Sequence, residues 1–146
     1  MGAKANTFIN DYLKLVFNNV AIPLIGDAAG PQPSVGAGSL YVSLHTADPG
    51  VAGLQSTTEA AYTGYARVAV ARSTAGWTVT GQSVTPFAVV QFPPGTAGGE
   101  TCTFACVGTA PTGTGKILYR GALTPSIVTG NGVTPQIPVS SSLTES

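Results

Sequence analysis

Between residues 7 and 20 the apolar positions recur at intervals of three and four: Ile9, Leu13, Val16, Phe17 and Val20. Phe8, Tyr12 and Leu15 widen the stripe. This spacing predicts an amphipathic helix near Thr7–Asn19, capped by Asn6 or Thr7 and stopped by Pro23 and then Gly26. The stripe is apolar enough to need a partner surface, on its own domain or on a neighbour. The run that follows, GDAAGPQPSVGAGS from Gly26 to Ser39, is small, nearly uncharged and punctuated by Pro and Gly. It reads as a linker, which would let the helix act as an arm held away from the main body.

After Leu40 the period changes from helical to two. Leu40–His45 alternates Leu40, Val42 and Leu44 against Tyr41, Ser43 and His45, and Tyr65–Arg72 alternates again after a long polar loop, Thr46 to Gly64. Trp77–Thr80 and Ser83–Thr85 flank Gly81-Gln82, a two-residue loop suited to a type II′ hairpin. Phe87–Phe92, Cys102–Val107, Lys116–Arg120 and Ser126–Thr129 follow, and Asn131-Gly132 suggests a type I′ turn into Gln136–Val139. Short strands at this spacing predict a mainly β chain: an antiparallel β-sandwich or jelly roll with one N-terminal α-helix. The implied division is a helix or arm over residues 1–25, a Gly/Pro-rich linker over 26–39, and a β-sandwich domain over 40–146. Heptads, collagen-like glycine periods and internal repeats are absent, which argues against a fibrous shaft.

Composition narrows the function. Charged residues make up 8% of the 146, against about 25% in an ordinary soluble domain. Six basic residues balance six acidic ones, so there is no electrostatic footprint for nucleic acid or an anionic membrane, and little repulsion between copies. The N-terminus lacks the apolar core of an export signal, and no apolar run is long enough to span a bilayer. The expected product is soluble, made in the cytoplasm of its host.

Candidate chemistry is sparse. Ser43, His45 and Asp48 contain the letters of a hydrolase triad, but in a strand Ser43 and His45 project from one face about 6–7 Å apart, beyond the reach a nucleophile and base require. His45 is expected instead as a strand-end residue beside an Asp-Pro-Gly turn. The stretch GTAPTGTGKI, Gly108–Ile117, ends like a phosphate-binding loop, yet Ala110 stands where a glycine is needed and Ile117 where a magnesium ligand is needed. One His and two Cys cannot close a four-ligand zinc site, and the carboxylates are scattered. Cys102 and Cys106 share a predicted strand about 13 Å apart, too far for a disulfide, and are expected reduced and half-buried. Trp77, Tyr62, Tyr65 and Tyr119 are read as half-buried sheet aromatics rather than a stacking platform. No catalytic residue, cofactor or metal is expected.

Several segments together resemble a known family. The stretch LYVSLHTADPGVAGLQSTTEAAYTGYARVAVAR (Leu40–Arg72), the step Trp77-Thr78-Val79-Thr80-Gly81 and the late segment Gly113–Leu123 are similar to those of small virion proteins of tailed bacteriophages, commonly labelled structural or tail-fibre proteins. The resemblance implies a virion component with no catalytic residues to carry over. Without shaft repeats or a receptor-binding tip, a compact sandwich with an apolar helix and a Gly/Pro linker suits a capsid cement or decoration protein, and the resemblance to small jelly-roll decoration proteins, often dimers, leans the same way. Such a protein would sit on the capsid surface, bridge major capsid protein subunits as a homo-oligomer (a dimer favoured), and stabilise the DNA-filled head. The helix stripe of Ile9, Leu13, Val16, Phe17 and Val20 is its expected interface. The alternative is a tail or tail-fibre component engaged in host attachment.

Overall fold

A computed structural model describes residues 2–146. The chain is mainly β, with antiparallel sheets and one N-terminal helix, consistent with the sandwich class expected from the alternation. It divides into two compact units that do not follow chain order: residues 2–39, Ala71–Val89 and Pro138–Ser146 form one, Leu40–Val70 and Val90–Ile137 the other.

The first unit contains the helix α1 (Asn6–Asn18). Its N-cap is Ala5, which offers no side-chain cap, so neither Asn6 nor Thr7 plays that part. The helix ends before Pro23 because Asn19 turns left-handed (φ 56°), and the amide of Val20 closes back on the carbonyl of Lys14 at 3.2 Å. Asparagine tolerates that backbone conformation, and the closing bond satisfies a carbonyl the last turn leaves open. The helix lies against the hairpin of β3 (Trp77–Thr80) and β4 (Ser83–Pro86). Ile9, Leu13 and Phe17 are buried, with Phe17 edge-on to Trp77 at 5.0 Å between ring centres. Asn10 and Asn18 donate from the helix to the carbonyls of Gly81 and Trp77. Arg72, expected only as a charged strand end, donates to the carbonyls of Leu15 (2.6 Å) and Val16 (2.7 Å), which otherwise lack partners at a helix C-terminus. The helix is therefore an integral layer of its unit, where the sequence suggested a detached arm. Gly81 takes the positive φ (60°) that the II′ hairpin requires. The short β9 (Leu143–Thr144) completes this three-stranded sheet beside β4.

The second unit is built on a four-stranded sheet in the order β2 (Val68–Ala71), β1 (Ser39–His45), β6 (Thr101–Gly108), β7 (Ile117–Val128). The strand expected over Tyr65–Arg72 is shorter because Tyr65 closes a turn on Tyr62. Lys116–Arg120 and Ser126–Thr129, expected as two strands, are parts of one, β7. Its register on β6 slips between Cys102↔Ile127 and Phe104↔Ala122, and Pro125, which cannot donate to a ladder, sits in that irregular stretch. A second slip near Gly108 and the proline together blunt this sheet edge. A small sheet pairs β5 (Val90–Gln91) with β8 (Gln136–Ile137). At Asn131-Gly132 only the glycine has positive φ (76°), with Val133 closing on Gly130, so the turn is not type I′.

Candidate functional site

β1 is a central strand buried on both faces: Val42 and Leu44 on one, Ser43 and His45 on the other. The expected alternation of buried and exposed positions holds only where one face meets water, and from Val42 to His45 neither face does. His45 is fully buried, and its ring folds back along the strand so that Nε2 lies 2.9 Å from Ser43 Oγ. Backbone spacing alone sets these two out of reach; the length of the imidazole closes the gap. Nδ1 lies 2.8 Å from the Thr57 carbonyl, which can only accept, so Nδ1 carries the proton and Nε2 accepts from the serine hydroxyl. This is the arrangement of a nucleophile, a base and an orienting acceptor. Ser43 is fully buried, however, and meets no solvent. Asp48, the third member of the suspected triad, is engaged elsewhere with Arg120 and the Gly50 amide.

Beside this pair lies an ionic network. Arg67, its side chain only 3% exposed, holds Glu59 by two bonds, Nε to Oε1 at 2.6 Å and Nη2 to Oε2 at 2.7 Å. Two further donors reach the carbonyls of Ala110 (3.0 Å) and Gly113 (2.6 Å). Tyr65 donates to Glu59 at 2.9 Å and accepts from the Leu44 amide. A covered guanidinium with four hydrogen bonds made avoids most of the desolvation cost of an unpaired charge. Burial and then Glu59 push the Tyr65 hydroxyl far above its usual range, so it stays a donor. Burial also lowers the His45 ring below its usual value, opposed by the Thr57 bond and Glu59 and assisted by Arg67.

The segment resembling a phosphate loop joins β6 to β7 and is occupied by the protein itself. Gln55, fully buried, accepts through Oε1 from the Ala110 amide at 2.9 Å, and its backbone amide donates to the Gly115 carbonyl at 2.8 Å. A Cβ on Gly108 or Gly115 would stand 2.1–2.2 Å from the Gln55 side chain, so both glycines make room for it. Gln55 and Arg67 carried no sequence signal for these roles; both contacts cross 40 or more residues of chain.

Cys102 and Cys106 are free and buried on β6, more deeply than expected. Burial pushes their thiols up to about 11 and about 12, assisted at Cys102 by Glu100. Trp77 and Tyr62 are each 3% exposed, leaving no open stacking surface on them. Among the described residues no group of His, Cys, Asp and Glu side chains assembles as a metal site, and no helix is long and apolar enough to cross a membrane. Of the five helix residues expected as an interface, Ile9, Leu13 and Phe17 are spent inside the chain, Val16 is half-buried and Val20 is exposed.

No curated protein matches the chain. The family of the podophage GP4 fiber I protein gp80 matches it over residues 5–144, nearly its whole length. With that coverage, the chain belongs to the podophage GP4 fiber I protein gp80 family, a family of phage virion structural proteins.

Proposed function

We propose that the protein is a non-catalytic structural subunit of the virion, built into a fibre and acting through contact surfaces rather than chemistry. The observation that carries this reading is the disposition of reactive groups. Ser43, His45 and both thiols are sealed, and the Arg67–Glu59 pair is committed to internal bonds, while large apolar side chains stand in solvent, among them Leu24, Val51, Phe87 and Val128. Exposed apolar side chains on a neutral protein suit contact with neighbouring subunits. The family's description as a fiber protein favours the fibre. A capsid cement role bridging major capsid protein subunits draws support chiefly from the neutral composition, because Ile9, Leu13 and Phe17 of the helix stripe that motivated it are packed inside its own unit. Gold-labelled antibody on intact particles tests the placement. Label on fibres is expected; label confined to the shell would replace this reading with the cement role. The purified protein is also expected to hydrolyse neither peptidoglycan, polysaccharide nor nucleotides.

A further inference from the structure

Among the points that fasten the loop Thr46–Gly64, one is strained. Thr58 has a left-handed backbone (φ 53°), a conformation a β-branched residue adopts only when its surroundings impose it. On one side of it the Thr57 carbonyl accepts from His45 Nδ1; on the other, Glu59 bridges His45 and is gripped by Arg67. The Thr58 carbonyl itself accepts from the amide and hydroxyl of Thr46. His45 is thus the buried post to which the strained segment is tied.

We propose that His45 is a proton-sensitive latch: neutral, it holds Thr57–Glu59 against the sheet, and protonated, it releases that segment to solvent. The neutral ring is matched to its cavity, accepting from Ser43 through Nε2 and donating to Thr57 through Nδ1. A second ring proton leaves the Nδ1 bond to Thr57 in place but turns Nε2 into a donor, so the Ser43 hydroxyl must rotate to accept and gives up its own acceptor, and it places a charge where no water reaches. The charged and titratable groups around the ring are Glu59, Arg67 and Tyr65 of the ionic network, and Cys106 opposite Ser43 on β6 with the nearby Arg120–Asp48 pair. Glu59 attracts the imidazolium and Arg67 repels it, but both are already locked to each other. Hydration therefore requires lifting the covering segment, and relaxing Thr58 favours that movement.

Hydrogen exchange of the whole chain at neutral and mildly acid pH, corrected for intrinsic rates, tests the latch. Amides of Thr46 and Ala60, bonded to Thr58 and Leu44, are expected to lose protection at least tenfold in acid and to regain it on neutralisation. Amides of α1 should keep theirs. His45→Gln, which cannot gain a proton, should show equal loop exchange at both pH values. A loop indifferent to pH, a loss shared by α1, or an acid response that persists in His45→Gln overturns the proposal, the last pointing to Glu59. If that variant does not fold, the wild-type ring decides. His45 is the sole histidine, so its imidazole NMR signal is unambiguous. It must titrate below its usual value and together with loop opening; titration at or above 6.5, or out of step with the loop, also overturns it.

Discussion

Arg67 shows how a single residue can join distant parts of the second unit. Its guanidinium bonds the loop carboxylate Glu59 and two carbonyls of the turn after β6. Lysine brings one compact ammonium and cannot hold that fork. Arg67→Lys is expected to lower stability by about 2–3 kcal/mol, and Arg67→Ala by about 3–5 kcal/mol because Glu59 is then left without its counter-ion; chemical denaturation with unchanged m-value measures both. The thiols make a second case. Their folded values of about 11 and about 12 lie above the ordinary 9.0, so the folded state keeps protons that the unfolded chain releases. Stability from this source is fully present below pH 9 and declines as pH rises through the folded values. Cys102→Ala with Cys106→Ala should flatten that alkaline decline in thermal melts. In the native protein near neutrality both thiols should resist a thiol reagent until denaturant is added.

At the scale of elements, the helix and the β6–β7 turn depend on fits that can be probed one atom at a time. Leu13 is 1% exposed and Val20 46% exposed on the same stripe. Leu13→Ala should cost about 2–5 kcal/mol as a cavity forms, whereas Val20→Ala should stay within about 0.5 kcal/mol. Similar costs for the two would mean that the helix is not packed as described. Gly115→Ala is expected to expel Gln55, since the new methyl would fall 2.2 Å from its amide oxygen. The lost bond to the Ala110 amide and the overpacking together predict a loss of about 2–3 kcal/mol. The double change Gly115→Ala with Gln55→Ala should recover part of it, which a mutant cycle reads directly.

For the molecule as a whole, neutrality governs how copies meet. With six charges of each sign and a pI near 6.5, solubility should pass through a minimum around that pH. Self-association should change little with salt, because few ion pairs exist to be screened; sedimentation at low and high ionic strength checks this. Removing residues 1–25 takes away α1, whose side chains cover Trp77 and whose last carbonyls engage Arg72. The truncated chain should therefore expose Trp77, seen as a red-shifted fluorescence maximum. A truncated protein with native emission would restore the idea of a separable arm.

The amino-acid sequence by itself determined the class of this protein: period-two apolar runs, turn residues and one stripe at helical spacing impose local backbone preferences that survive in the fold. The helix lies within one residue of its expected bounds, and the Gly81 turn is as its chemistry requires, because both are set by neighbours in the chain. The family, too, was legible, since the segments that carry it lie in continuous stretches from Leu40 onward. Only the tertiary structure decided what these pieces face. Whether the apolar stripe of α1 meets a partner or its own β3 depends on residues some 60 positions away. The same holds for Ser43 and His45: alternation placed them on one face, but that face is covered by a loop whose path the local sequence does not dictate. Gln55, and Arg67 beyond its pairing with Glu59, acquire their roles from backbone carbonyls and amides, groups that no sequence pattern distinguishes.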